Sequence, residues 1–521
     1  MAQLSDIDAD HVDLPPEPPI ERSEPRRLVG TLIVWVATAQ LVGMTLRTPV
    51  QLEANDISRW CTVWSLVERG TYAIDECPWQ HKTQDKVLRS NKLTEPGSDA
   101  SLLRRVEYML APASWKEGEA RDRVYSSKPP LLPTLIAGML LPARLVTGVP
   151  LETMVFRQKR EPRNVEELVE VEPGRFETRR RTDTERGYAE FPAYVYYFKP
   201  ILLLWNVLPF GLSLVLYRRL LDRHAANDWT WFYCLFAAAW GTYLFAFGQT
   251  LNNHTVAAWS AFFAVYALIR IVADGRTERR YYAAAGFFAA FAAANEIPAA
   301  LLTLSILVIL LVRSPGSTLR ASVPAAAIPT VAFLTTQLLA FGQFMPVYEE
   351  FGTRSYLYEG SYWATPLEFD AFNVDPEPWP VYLFHMTFGH HGIFSLTPIV
   401  LLAVGGLAML LFEPRRRMRL IAALVGVMTA AMLAFYAWNP KARNYGGSTQ
   451  GLRWLFWLFP LWLVVLPRAV EPGGDRRWYR ILCLVVLAVS VMSVGYAIRG
   501  PWSHPWLVDL MVRLRWYALK F

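Results

Sequence analysis

The stretch Glu53–Glu76, EANDISRWCTVWSLVERGTYAIDE, follows the first apolar run of a 521-residue chain. Ile57, Trp60, Val63, Trp64 and Val67 recur at helical spacing, which predicts an amphipathic helix over Ile57–Arg69, ended by Gly70. Such a helix, directly after a membrane-length run, is expected to lie flat on the outer membrane surface. Asn55 or Asp56 falls at its N-terminus. Two roles are open for Asp56. One is an N-cap, frequent for aspartate at this position. The other is a carboxylate held rigidly at the bilayer edge, as a general base has to be.

The composition around this stretch is 53% hydrophobic and only 19% charged. Several runs approach the ~20 apolar residues that cross a bilayer, so one polytopic membrane body with external inserts is expected rather than several soluble domains. The formal charge of +7 comes from arginine clusters between apolar runs, which is how topology signals are distributed. Nucleic acid is not an expected partner. The four cysteines show no CxxC or Cys/His spacing, so no metal site is read from them. Cys234 and Cys483 lie inside apolar runs as small hydrophobes. Cys61 and Cys77 share one non-membrane stretch, where a disulfide is open if the compartment is oxidising. Residues 1–27, acidic and proline-rich, read as a disordered cytoplasmic tail. VATA in the following run resembles a signal-peptide cleavage site, but the run continues through QLVGMTL, which favours an uncleaved anchor.

Apolar runs occur near 28–46, 131–148, 200–217, 229–248, 255–272, 281–294, 297–312, 321–344, 393–412, 418–438, 453–470 and 480–498. Basic residues mark five connections between them. These carry Arg218, Arg219 and Arg223; Arg276, Arg279 and Arg280; Arg313 and Arg320; Arg415, Arg416, Arg417 and Arg419; and Arg476, Arg477 and Arg480. The intervening turns are almost free of positive charge, so the five connections are expected on the cytoplasmic side. That alternation requires the 131–148 run, entered through KPPLLP, to be re-entrant or interfacial. The expected fold is an all-α polytopic membrane protein of about eleven transmembrane helices, with the N-terminus inside. The first helix is 28–48, the second to seventh occupy 199–344, and the eighth to eleventh occupy 393–498. A twelve-span count fits the charges less well. Two external regions result, 49–198 and 345–392, and residues 499–521 form an external amphipathic tail. Around EPGR in the 149–198 insert, alternating apolar and charged residues suggest a β-hairpin, with a solvated linker as the alternative. No internal repeat is present.

Four further groups at the predicted external ends bear on function. In YSSKPPLLPTLIAGM, Tyr125–Met139, the two prolines fix an extended entry, and Lys128 becomes a cation at headgroup depth. It is either a snorkelling lysine or the partner of a lipid phosphate. QTLNNHT reads first as a turn capping two helices. Glu296, between two tightly connected spans, is either a wetted turn residue or a functional carboxylate at membrane depth. His385, His390 and His391 in FHMTFGHHGIFS lack the ligand number a metal site needs, so hydrogen bonding or phosphate contact is equally open. NPKARNYGGSTQGLRWLF brings Lys441, Arg443, Tyr445, Gly446, Gly447 and Arg453 to one end of two spans. Glycines let backbone N–H groups approach an anion, and arginine pairs phosphate oxygens bidentately. No GxGxxG, Walker A, HExxH or nucleophile-elbow pattern occurs in a suitable context.

Asp56 with Arg59, followed by SSKPPLLP, resembles the motif pair of the GT-C superfamily of polyprenyl-phosphate-sugar-dependent glycosyltransferases. The similarity is closest to the protein O-mannosyltransferase and aminoarabinose transferase branch. That branch carries an acidic DE motif, then xRYA and an amphipathic helix, just after the first span, and KPPL before an interfacial helix. Ile57 stands here where the branch has Glu. A second carboxylate would come from Asp75, Glu76 or Glu296, with nothing in the sequence selecting one. The resemblance covers the N-terminal third by motif and the later spans by topology.

The resemblance implies an inverting transfer of a sugar from a polyprenyl-phosphate donor to an acceptor hydroxyl on a protein, lipid or glycan. The reaction would occur on the outer, periplasmic face of the cell inner membrane. Asp56 would act as general base. Lys128 and Arg453 would hold the phosphate, and Arg59, Glu296, His390, His391 and Tyr445 would contribute to substrate binding. A divalent metal stays open as a cofactor. The alternative from another class is a non-catalytic transporter or flippase of polyprenyl-linked sugars, which would carry repeats and midplane polar groups. A polymer ligase using diphosphate-linked glycans is a second alternative.

Overall fold

A computed structural model describes residues 24–47, 53–117, 119–159, 163–172, 175–183, 188–192, 194–361, 363–364, 377–413, 416–439 and 443–516, with the backbone alone for its parts of 154–196 and for 416–417. The expected disordered tail, up to residue 23, and Arg415 and Lys441 lie outside the described residues.

Among these residues, eight helices are long and apolar enough to cross a membrane. They are Glu24–Arg47, Tyr197–His224, Asp228–Phe247, Asn253–Val272, Pro315–Phe341, Met418–Trp438, Arg453–Gly474 and Arg477–Ala497. Leu131–Thr147, Ile297–Arg313 and Ile399–Leu411 are shorter apolar helices, and Arg279–Asn295 is a further helix. The chain is thus a mostly helical polytopic membrane protein. Asn253–Val272 is buried along almost its whole length, with Arg453–Gly474 packed against it. The outer helices expose Trp35, Ile328, Val331, Ile481 and Val485. An apolar surface of this kind is disfavoured in water and satisfied by lipid.

Polar contacts sort the helix ends into two sets. At one end Arg26 pairs with Asp228, Asp274 gathers Arg223, His224 and Arg270, and Arg468 meets Glu413 and Glu471. At the other end Lys199 donates to the Leu46 carbonyl, Asn206 to Thr250, Gln249 to Ile498 and Asn253 to Asn295. Of the arginine clusters that mark the topology, Arg223 falls in the first set, as does Arg480, which donates to the Gly473 and Gly474 carbonyls. The candidate site falls in the second.

The helix of the opening stretch runs Ala54–Arg69 and stops at Gly70, which takes φ 66° and returns its N–H to the Ser65 carbonyl. It begins three residues earlier than the apolar periodicity indicates. Glu53 therefore occupies the cap position, without a side-chain cap bond, and Asp56 sits inside the first turn. Nor does the helix lie on a surface with one face open. Residues 56–65 are buried on every side, because Leu131–Thr147 packs along the helix and Leu251 and Val256 close in with it. Leu131–Thr147 is anchored to it by Arg144, whose Nε donates to Glu68 at 2.9 Å. Cys61 and Cys77 are free thiols brought side by side, with sulfurs 2.7 Å apart.

Lys86–Ser90 and Asp122–Ser126 form an antiparallel ribbon with Lys86 opposite Ser126. This ribbon delivers Asp85 and Lys128 to the same place. In the insert, Arg163–Glu172 pairs antiparallel with Arg175–Asp183, so the hairpin around EPGR is present. Met154–Lys159 pairs with Tyr188–Pro192 beneath it.

Candidate functional site

A cavity of about 350 Å³ opens among the second set of helix ends. Arg59, Asp85, Lys128, Asn253, Glu296 and Arg453 are among the residues on its wall, and they come from separate segments of the chain. Four of the residues singled out in the sequence, Arg59, Lys128, Glu296 and Arg453, thus converge.

Arg59 projects from the first turns of its helix. Its Nη1 donates to the Asn55 carbonyl at 3.1 Å and to Asn55 Oδ1 at 3.2 Å, and its Nη2 donates to Asn253 Oδ1. Asn253 in turn donates from Nδ2 to Glu296 Oε1 at 2.6 Å. Glu296 also contacts His254 Nδ1. Asn252 accepts the Thr255 N–H at 2.8 Å. The QTLNNHT turn therefore does cap its helix, while its next two residues join the cavity.

Lys128 leaves the ribbon with its Nζ 3.1 Å from Asp85 Oδ1. Ser58 fixes this corner, since its hydroxyl lies 2.6 Å from Ser126 Oγ and donates to the Asp85 carbonyl. Burial strips the Lys128 ammonium of hydration and pulls its pKa down to about 8, with Asp85 opposing the shift and the Arg59 and Arg453 charges adding to it. Burial likewise lowers Arg59, while the charges of Asp56, Asp85 and Glu296 hold it up.

Arg453 is only 8% exposed. Its guanidinium lies 4.9 Å from the centre of the Trp502 ring. It makes no side-chain hydrogen bond or ion pair among the described residues, and its Nε is buried without a partner. The turn before it makes room. Tyr445 adopts φ 55°, Gly446 φ 86° and Gly447 φ 76°, and a Cβ on Gly446 would stand 2.9 Å from Arg453 Nε. Only glycine allows the chain this close to the guanidinium in this conformation.

Asp56 has no solvent exposure, and among the described residues neither carboxylate oxygen has a partner at ordinary hydrogen-bond geometry. It is not on the cavity wall, although Asn55 and Arg59 on either side are. Burial raises its pKa well above the ordinary carboxylate value. Arg59 and the adjacent Trp502 indole pull it back, Glu53 pushes it further up, and Arg453 lowers it again. Asp56 is thus a buried carboxyl group whose pKa is held up by desolvation and influenced by two cations of the cavity.

His390, His391 and Tyr445 stand apart from the cavity. Tyr445 is fully buried, donates its hydroxyl to Glu377, and stacks on His391 with ring centres 4.6 Å apart. His390 stacks on His385 at 4.0 Å. These side chains form a second polar cluster, joined to the cavity through the 445–447 turn.

Sequence reasoning missed Asp85, Trp502, Glu53, Glu349, Tyr348 and Tyr356 on the cavity side. Tyr348 and Tyr356 have phenol pKa values raised by burial. For Asp85 the signal was available in principle, as a carboxylate just before a short strand whose partner ends near Lys128.

Comparison with protein-family models and with curated protein sequences returns no match for this chain.

Proposed function

We propose that the chain is an integral membrane glycosyltransferase of GT-C type. It would move a sugar from a polyprenyl-phosphate donor to an acceptor hydroxyl, with inversion at the anomeric carbon. The observation that carries this reading is the convergence of Arg59, Lys128 and Arg453 on one cavity, with the Arg453 guanidinium buried, held over Trp502 and making no direct ion pair among the described residues. A buried guanidinium whose N–H donors are left unbonded is costly, so a phosphate that accepts from them is a natural ligand.

In this mechanism the acceptor oxygen attacks the anomeric carbon and the bond from that carbon to the phosphate oxygen breaks. The electron pair leaves on the phosphate. Lys128 and Arg453 take up the charge that develops there, and fixed cations of this kind are a large part of catalysis. The acceptor proton passes to Asp56, whose desolvation makes it a stronger base. Its path to Asp56 runs past Arg59, which a bound substrate would have to draw aside. Glu296, locked by Asn253, orients Arg59.

The arginine-rich helix ends lie opposite the cavity, which supports a topology with the N-terminus cytoplasmic and the cavity facing the periplasm or exterior of the inner membrane. Counting Arg279–Asn295, Ile297–Arg313 and Ile399–Leu411 with the eight long helices gives eleven crossings, with Leu131–Thr147 as the interfacial helix. A transporter or flippase of the same lipid would place its polar groups near the bilayer midplane, whereas these gather at helix ends. The test is transfer from a panel of radiolabelled polyprenyl-phosphate sugars in membranes, with acceptors of protein, lipid and glycan class. The intact chain should label one acceptor, and Asp56→Asn should label it at least roughly 10²-fold more slowly. Near-normal transfer by that variant would remove Asp56 from the mechanism.

A further inference from the structure

The second polar cluster has a geometry of its own. The helix Trp379–Thr387 ends beside Gly389, whose N–H returns to the Phe384 carbonyl at 2.9 Å. This tight turn folds His390 back over His385, and the two rings stack 4.0 Å apart with planes 20° from parallel. A Cβ on Gly389 would lie 2.2 Å from His385 Nδ1, so glycine is needed for the ring to sit there. Glu377, at the head of the same segment, completes the group. Ligand atoms of Glu377, His385 and His390 all lie within 4.8 Å of one another.

We propose that Glu377, His385 and His390 bind one divalent transition-metal ion, with zinc the best fit. Two imidazoles and one carboxylate are a donor set that zinc accepts, leaving a fourth position open. Hard cations such as magnesium or calcium favour all-oxygen shells, so they fit poorly. Supporting bonds of the sort found around metal-bound histidines are in place. His391 Nδ1 lies 2.6 Å from His390 Nδ1 and fixes that ring, and the Tyr445 hydroxyl holds Glu377. His504 lies beyond His391, at 6.4 Å between ring centres.

The ion would pin the segment 377–390 into one conformation. Through Glu377 and Tyr445 it would also pin the 445–447 turn that lies against Arg453. It acts on the cavity by position, without touching what binds there, and the proposal stands whether or not the chain transfers sugars.

The test uses the full chain in detergent, washed with chelator, offered Zn²⁺ and measured by elemental analysis. About one zinc per chain is expected in the wild type. Glu377→Gln and His390→Gln should fall to the level of the chelator-treated control, and His224→Gln should keep its metal. Should either site variant fail to fold, the wild type loaded with Co²⁺ decides the matter, since nitrogen and oxygen ligands at low coordination number give visible ligand-field absorption. No zinc in the wild type, zinc retained by both site variants, or a Co²⁺ spectrum like that of the aqueous ion overturns the proposal.

Discussion

Arg453 rests its guanidinium on the face of Trp502, 4.9 Å from the ring centre, and does so at 8% exposure. The ring attracts the cation without occupying its N–H donors, so the charge is held in position while its hydrogen-bonding capacity faces the cavity. This arrangement costs stability in the empty protein and is recovered when an anion arrives.

Replacing Arg453 by Ala should therefore weaken binding of a polyprenyl phosphate. A charge-assisted hydrogen bond contributes about 1.5–3 kcal/mol, so the loss should be roughly 10- to 100-fold in Kd. Titration of the lipid phosphate into protein in nanodiscs measures it. Unchanged affinity would mean that Arg453 serves only to pack Trp502.

Gly446→Ala leaves every charge in place and still disturbs the site. The new methyl would stand 2.9 Å from Arg453 Nε, at a backbone φ of 86°. The strain of such a conformation is about 1–2 kcal/mol. Lower lipid-phosphate affinity is expected, together with a drop in Tm of about 1–2 °C by thermal denaturation, whereas Gly70→Ala should affect Tm alone.

Lys128 predicts a pH dependence. With its pKa near 8 it is a cation below that value and neutral above it. Phosphate affinity should fall as pH rises from 7 to about 9, and Lys128→Arg should flatten the profile because arginine stays charged. The sign for stability is opposite. Between pH 8 and the ordinary lysine value, the unfolded chain holds a proton that the folded chain has released, so the empty protein gains stability as pH rises. Ligand binding and unfolding measured across the same buffers should move in opposite directions.

Asp56→Asn should reduce transfer by roughly 10²–10⁴-fold, the usual contribution of a general base. Its Tm should not fall, since the amide matches the shape of a carboxyl group that is wholly buried, has no hydrogen-bond partner among the described residues and is costly to ionise there. A large loss of Tm alongside lost activity would assign Asp56 a structural role instead.

Much of the site could be read from the sequence because its charged residues stand at the ends of apolar segments, where chemistry and depth are both legible. Arg59, Lys128, Glu296 and Arg453 were found in this way. Asp85 was not, since its meeting with Lys128 depends on a ribbon between segments more than thirty residues apart in the chain, a non-local pairing that no local pattern encodes. The exposed face expected for the first external helix failed for a related reason: periodicity reports how one element is patterned, and neighbours arriving from later in the chain decided its burial. His390, His391 and Tyr445 share the composition of a binding loop, yet the turn at Gly389 folds the histidines toward one another and away from the cavity. Trp502 was read as part of a surface tail. In the structure it supports the Arg453 guanidinium.

The helix Asn253–Val272 starts with two cavity residues and reaches Arg270 near its far end, where Asp274 locks it. It is a packed rod about 30 Å long, surrounded by protein on nearly every side. Sliding or tilting it would disturb the whole bundle, so the floor of the cavity is expected to behave as a fixed anvil. A ligand entering the cavity would have to pass among the other segments that line it, such as 348–356 and 446–447.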